Sequence, residues 1–411
     1  MSGKKDNVES QSVAIIGGGV IGMSTAFHLA EKGVSKITVI DKGYIGGGSS
    51  LQAAGIVTSL EWNETAIRAR VKTLDNFERF SQILDGYSFH QVGCLNLLSE
   101  EDYIGDKDLR DLQIKLGSKV EILQGGKLSD KFKDVVAAPN EYGVLDLRGG
   151  YSEPHRYVPA LKNKIEKMGV DIREHEEVVG FDLQGAQIKG IVTRSSVNQK
   201  ETKEKFDIVI CAVNAWINHL LSWVDFQIPM KNFIHERFVT KPFETKLNLP
   251  AINDRVVEGY IRPTEDNRLL VGTDAYNPEN FIMPNQQFTV DQLTPDPRAL
   301  PFLRERFRSR VPVIESAVWD YHTVGLISIT RDATPVIGPM PGIDGLFVGS
   351  NFHSGGFAYN PVAGQLIAEH VVDGETSIDS ERYLPQRFIG FDTKSYLQNS
   401  MTIDDMKFKR H

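Results

Sequence analysis

One short stretch limits the fold more than any other. Val13-Ala14-Ile15-Ile16 is an unbroken apolar run that leads directly into Gly17-Gly18-Gly19-Val20-Ile21-Gly22. Such a run suits a strand buried on both faces of a parallel sheet. Behind the glycines a helical pattern runs from Val20 to Lys32 and stops at Gly33, the residue type that caps helix C-termini. Lys36-Ile37-Thr38-Val39-Ile40 predicts a second strand with Asp41 at its end. Together these make a βαβ start in about 30 residues.

The spacing Gly17-x-Gly19-x-x-Gly22 carries a specific chemistry. The first glycine permits the tight strand-to-helix turn, the second admits a pyrophosphate to the backbone, and the third packs helix on strand. Free N–H groups and the helix dipole then favour the phosphate charge. Asp41 lies 19 residues beyond Gly22, where a carboxylate meets the adenosine ribose hydroxyls. This unit binds a dinucleotide but does not separate NAD from FAD.

Two further glycine clusters bear on that choice. Gly46-Gly47-Gly48-Ser49-Ser50-Leu51-Gln52-Ala53-Ala54-Gly55 is a small-residue loop with room for a planar ring against backbone. Ser354-Gly355-Gly356-Phe357 lies far along the chain, after a short strand ending at Gly349 and before a helix expected from Pro361 to Val372. That helix N-terminus would face N1 and O2 of a reduced flavin and favour its negative charge.

Between these landmarks, helices are expected over 63–85 and 154–168, and strands over 170–172, 177–192 and 206–212. The segment 234–320 is rich in strand signals, with turns at Glu265-Asp266-Asn267 and Pro295-Asp296-Pro297. The tail from Ile389 is polar with a basic end, Lys407, Lys409 and Arg410, and reads as a frayed or docked terminus.

The blocks Val13–Gly55, Asp207–Trp216 ("DIVICAVNAW"), Gly259–Gly272 ("GYIRPTEDNRLLVG") and Gly325–Gly374, in that order along the chain, resemble the D-amino-acid oxidase superfamily of FAD enzymes. That group includes glycine oxidase, sarcosine oxidase, dimethylglycine dehydrogenase and dye-linked proline dehydrogenases. The resemblance implies an α/β fold: a Rossmann-like FAD-binding domain with a second antiparallel α+β substrate domain. The first would be discontinuous, from 8–90, 150–222 and 322–388, the second from 91–149 and 223–321, with 389–411 as a tail. It implies hydride transfer to the flavin from a C–H next to nitrogen, giving an imine that hydrolyses. Sarcosine-, proline- or glycine-like substrates are expected, with oxygen or another carrier as electron acceptor. Two alternatives are an FAD-dependent 2-hydroxy acid or glycerol-3-phosphate dehydrogenase, and the flavin-bearing subunit of a hetero-oligomeric complex.

Expected cofactor contacts are Gly17, Gly19, Val20, Ile21 and Gly22 at the turn, Asp41 and Lys42 after the second strand, and Ser49, Ser50, Gln52, Ala53, Ala54 and Gly55 in the small-residue loop. Val178, Ala212, Asn214 and Trp216 join from the middle of the chain, and Ser354, Gly355, Gly356 and Phe357 from its last block. The departures from the family's pattern are informative. Gln52 stands where some members have a flavin-linked His, and neither cysteine falls in the last block, so FAD is expected to be non-covalent. Ile327 replaces a carboxylate-binding Arg, Leu270 an oxygen-activating Lys, and Asn214 a Gly. The family's "SGHGF" becomes His353-Ser354-Gly355-Gly356-Phe357, so its His has moved or been lost.

A carboxylate substrate then needs another cation, ideally an Arg fork. Arg262 is the first candidate, Arg237 the second and Arg331 the third; the plain alternative for each is an ion pair. His353, beside the expected flavin, leads His235 and His322 as a group to orient an amine, and Tyr260 and Tyr359 can wall a site. His28 reads as structural. The net charge of −8 argues against nucleic-acid partners, whose binding relies on cationic surface. Cys94 and Cys211 show no metal-ligand spacing and read as buried small hydrophobes. No apolar run reaches the ~18 residues of a membrane span, and a cytoplasmic enzyme, as a possible homo- or hetero-oligomer, is the expectation.

Overall fold

The computed structural model describes residues 11–273 and 279–401. Six strands form the first sheet: β1 (Ser12–Ile16), β2 (Lys36–Ile40), β3 (Asp171–Arg173), β4 (Ile208–Cys211), β5 (Val336–Pro339) and β6 (Leu346–Ser350). Their spatial order is β5-β6-β4-β1-β2-β3, all parallel except the edge strand β5. Alternate residues of β1 serve two cores. Val13 and Ile15 face a helical layer with Met23, Phe27 and Leu366, whereas Ala14 and Ile16 face Val178, Ile191 and Ile217. An antiparallel three-stranded sheet, Glu176–Gln184, Gln187–Ser195 and Glu201–Lys205, covers that second face. A strand buried on both sides has no polar face, as the unbroken apolar run requires.

Four helices build the other layer: α1 (Val20–Glu31), α2 (Glu64–Ile83), α3 (Pro154–Lys167) and α4 (Gly356–Val372). Residues 20–29 of α1 are all buried, so this helix lies inside the layer rather than on it. In α2 the Asn63 side chain accepts from the Ala66 N–H at the N-terminus, and one face buries Ile67, Leu74, Phe77 and Phe80. Pro154 opens α3 at a position where its missing N–H is harmless.

The start of α4 differs from expectation by five residues: the helix begins at Gly356 and runs through Pro361. Proline removes the N–H that would reach the carbonyl four residues back, here that of Phe357. The Asn360 amide donates to that carbonyl instead, at 2.6 Å, while its oxygen accepts from the Tyr157 hydroxyl at 2.7 Å. The Asn-Pro pair therefore sits inside the helix rather than before it.

The second sheet has eight strands, ordered Trp319–Thr330, Met230–Thr240, Leu269–Thr273, Gly259–Pro263, Ala251–Asp254, Cys94–Leu98, Tyr142–Asp146, Val120–Gln124. It is antiparallel except where Ala251–Asp254 runs parallel to Cys94–Leu98. The expected boundary at 322 falls inside the strand Trp319–Thr330, which pairs along its length with Met230–Thr240. The strand-rich reading of 234–320 also missed the helix Ala299–Phe307, whose Leu303 and Phe307 pack on the sheet's core. Both cysteines are buried and unpaired. No helix among the described residues is long and apolar enough to cross a membrane.

The tail docks. Lys231 Nζ donates to the Ser400 carbonyl at 2.9 Å, and Met401 packs on Phe233 and Ile329. Lys407, Lys409 and Arg410 lie outside the described residues. Because Asn360 satisfies two buried groups at once, Asn360→Ala is expected to lower stability by about 3 kcal/mol, read as a fall in thermal midpoint; an unchanged midpoint would refute its role as the substitute for the proline N–H.

Candidate active site

The two sheets meet along a cavity of about 340 Å³ that opens at the C-terminal ends of β1, β2 and β4. At its floor Gly17 has a φ of +106°, and a Cβ there would stand 2.4 Å from the Ala212 carbonyl oxygen. Only glycine fits so close to β4. Gly19 and Val20 line the cavity at the start of α1. Ser50 Oγ accepts from the Val20 N–H at 3.0 Å, so it caps the helix as well as lining the cavity. Gly22 does not line it: a Cβ there would lie 2.0 Å from the Gly17 carbonyl oxygen, and its part is to bring helix and turn together.

Asp41 accepts from the Gly18 and Gly43 N–H groups at 2.7 and 2.8 Å. Burial pushes its carboxyl up, and the two N–H donors counter that in part. Each oxygen keeps a lone pair for a ribose hydroxyl. Lys42 plays a part that the sequence did not disclose. Its ammonium donates to the carbonyls of Gln286 and Phe288 and lies 4.3 Å from the Trp216 ring. The Trp216 indole donates to the same Phe288 carbonyl at 3.2 Å, and the Gln286 amide donates to the Val178 carbonyl at 2.9 Å. A strap containing Gln286, Thr289, Val290 and Asp291 is thereby tied along the Lys42–Trp216 side of the cavity.

The remaining cofactor expectations converge. Ile21, Ser49, Gln52, Ala53, Ala54, Gly55, Val178, Ala212, Asn214 and Trp216 line the cavity, as do Ser354, Gly355, Gly356 and Phe357. Because α4 starts at Gly356, its N-terminus is at the cavity rather than a turn and a half behind it. His353 lines the same corner with a φ of +42°.

On the side of the eight-stranded sheet, His235 and Arg237 line the cavity from one face of the strand Met230–Thr240. Arg237 Nε donates to the Gln52 carbonyl at 2.7 Å and Nη2 to that of Leu51 at 3.1 Å. Among the described residues it has no carboxylate partner. Burial and the nearby Arg262 pull its pKa down to about 10, against the raising effect of Tyr260, so it stays charged at neutral pH. Gly272 stands between Arg237 and Tyr260 in register, and the Tyr260 ring occupies the space its side chain would take. That lets the Tyr260 hydroxyl reach His235 Nε2 at 2.9 Å. Burial, then Arg237, lower His235 to about 4, so it is neutral. Phe233, Ile327 and Ile329 supply apolar wall.

Arg262 is not a substrate anchor. Its fork is taken by Glu153, Nη1–Oε1 2.8 Å and Nη2–Oε2 2.9 Å, its Nε donates to the Ala54 carbonyl, and it does not line the cavity. Glu153 is held below its usual range because this guanidinium outweighs burial. Arg331 stacks on Phe391 of the tail, His322 on Phe238, and Tyr359 is buried behind the cavity. Leu270 is buried and does not line it.

The amino-acid sequence matches the DAO family, FAD dependent oxidoreductases, over residues 12–370. The chain belongs to that family. This FAD-dependent oxidoreductase is 27% identical over 399 residues to 4-methylaminobutanoate oxidase (formaldehyde-forming) of Paenarthrobacter nicotinovorans, covering 93% of this chain and 46% of that protein. It thus spans about half the length of that relative. It is likewise 27% identical to glycine oxidase of Pseudomonas putida, covering 93% of this chain and 100% of that enzyme. Its fold matches L-proline dehydrogenase from P. horikoshii with a TM-score of 0.83 at 24% identity, covering 92% and 97% of the two chains. The cavity fits FAD: a helix N-terminus for the pyrophosphate, a glycine with no room for a side chain at the turn, and small residues along the ring's path.

Removing the Lys42 ties is expected to loosen the strap. Lys42→Met should speed FAD release on the order of tenfold, followed by flavin fluorescence after dilution; an unaltered release rate would mean the strap does not hold the cofactor. His235 gives a pH prediction. Its pKa is lower folded than unfolded, so the unfolded chain binds the extra proton between pH ~6.5 and ~4. Its contribution is present above pH ~6.5 and lost on acidification, on the order of 3 kcal/mol. The fall in melting temperature from pH 7 to pH 5 should be shallower in His235→Gln than in the parent.

Proposed function

We propose that this flavoenzyme oxidises the C–N bond of a small amino acid, a secondary or N-methyl one such as sarcosine or proline, or glycine. The observation that carries the reading is Arg237: a buried cation on the cavity wall with no carboxylate partner among the described residues, beside the neutral His235 ring and the Tyr260 hydroxyl. Its unused N–H donors suit the two oxygens of a substrate carboxylate. The neutral His235 ring adds no charge to repel an amine. Phe233, Ile327 and Ile329 favour a small apolar substituent and keep water from the reacting carbon.

Bound FAD supplies the two-electron acceptor. The protein holds the substrate by its carboxylate and orients the C–H bond beside nitrogen; hydride loss leaves an imine, which water hydrolyses. Glycerol-3-phosphate would call for several clustered cations; of the two arginines that line the cavity among the described residues, Arg237 and Arg70, the second already lies beside the Glu61 carboxylate. The relatives named above, both amine or amino-acid oxidases by name, support the same chemistry.

Mixing the enzyme anaerobically with sarcosine, L- and D-proline, glycine, 2-hydroxyglutarate and glycerol-3-phosphate tests the proposal. Bleaching of the flavin band by an amine is expected, and bleaching by an alcohol alone would overturn it; admitting air then separates oxidase from dehydrogenase. Arg237→Met should raise KM for the amino acid on the order of 100-fold, with a far smaller effect on the matching amine that lacks a carboxylate. Equal losses for both would remove Arg237 from the anchoring role.

A further inference from the structure

A second buried arginine borders the same cavity, far from Arg237 in sequence. Arg70, on α2, is 2% exposed and belongs to the cavity wall. Its Nε donates to the Thr58 carbonyl at 2.9 Å and lies 3.1 Å from Oε1 of Glu61, itself 2% exposed. The guanidinium stands 5.0 Å over the Tyr359 ring. Nη1 is enclosed and has no hydrogen-bond partner. It lies 3.9 Å from where a Cβ on Gly355 would stand.

Gly355 is the N-cap of α4, a 17-residue helix with no side-chain cap and no acidic residue in its first turn. Free N–H groups and the positive end of the dipole therefore gather at this corner. A buried cationic donor without an acceptor is destabilising, so a group persisting here implies an acceptor. Among the described residues, α1 and α4 are the long helices whose N-termini reach the cavity. That of α1 faces the pyrophosphate, which leaves the corner of α4 and Arg70 for the other end of the cofactor.

We infer that Arg70 and the N-terminus of α4 together form an electropositive corner that stabilises negative charge on the ring of bound FAD, with Glu61 setting how much of the Arg70 charge is felt. The inference rests on the reading of this cavity as the FAD site. Removal of a hydride from substrate adds two electrons and one proton to the ring, so a reduced ring that takes up no second proton carries one negative charge. A cation nearby then favours the reduced form over the oxidised one. Arg70 acts here by charge alone: no bond to Arg70 forms or breaks.

The test is the equilibrium between oxidised and reduced protein, set against a reference redox dye in the FAD-loaded enzyme at fixed pH. Arg70→Met alone would leave Glu61 buried without its counter-charge, so the double variant Arg70→Met/Glu61→Gln is used with Glu61→Gln alone. The double variant is expected to shift the equilibrium toward oxidised FAD by at least tenfold. Glu61→Gln, which frees the Arg70 charge, is expected to shift it toward reduced FAD by threefold or more. Constants within twofold of the parent in the FAD-loaded variants would overturn the inference and leave the cofactor assignment standing. A parent enzyme that takes up no FAD would overturn the cofactor reading itself.

Discussion

The contact on which the rest depends is the close crossing of α1 and α4. At Gly364 a Cβ would stand 2.5 Å from the Ser24 carbonyl carbon and 2.6 Å from its hydroxyl, so only glycine allows the two backbones to approach this far. On its other side α1 is drawn to the strand turn through Gly22. Gripped from both sides, α1 presents its N-terminus at one point of the cavity and α4 presents its own at another. Residues more than 300 positions apart in the chain, Gly17–Gly19 and Ser354–Gly356, thereby become two ends of one site.

The second sheet works through arginines placed on that frame. Arg237 and Arg262 both donate to carbonyls of the Gln52–Ala54 loop, and so fasten the small-residue loop to the eight-stranded sheet. They differ in what else they hold. Arg262 has a buried carboxylate on its fork and is spent as structure. Arg237 has none among the described residues, and this difference supports the anchoring role proposed for it. A buried guanidinium's role is decided by its partner rather than by its burial.

What was legible in the sequence was local. The βαβ start, the glycine turn, Asp41 and the cofactor-lining loops could be read because each depends on neighbours a few residues away. What depended on distant pairing could not. Arg262 meets Glu153 across 109 positions, and no pattern announces the pair. Arg70 reads as one of many charges on an amphipathic helix. The Gln286 strap carries no strand or helix periodicity. The start of α4 was misplaced because proline ordinarily marks a boundary, and the Asn360 side chain that cancels its effect is visible only in three dimensions. His235 was named from the sequence but ranked behind His353, although it lies two positions from Arg237 on a strand and strand alternation puts both on one face.

The central claim is that this cavity holds FAD without a covalent bond. The most direct measurement is the visible spectrum and flavin stoichiometry of the purified protein, before and after denaturation in acid and centrifugation. The account predicts a yellow protein with one FAD per chain and all of the flavin released into the supernatant. Flavin that stays with the precipitated chain would contradict the non-covalent site, and a colourless protein that takes up no added FAD would contradict the account as a whole.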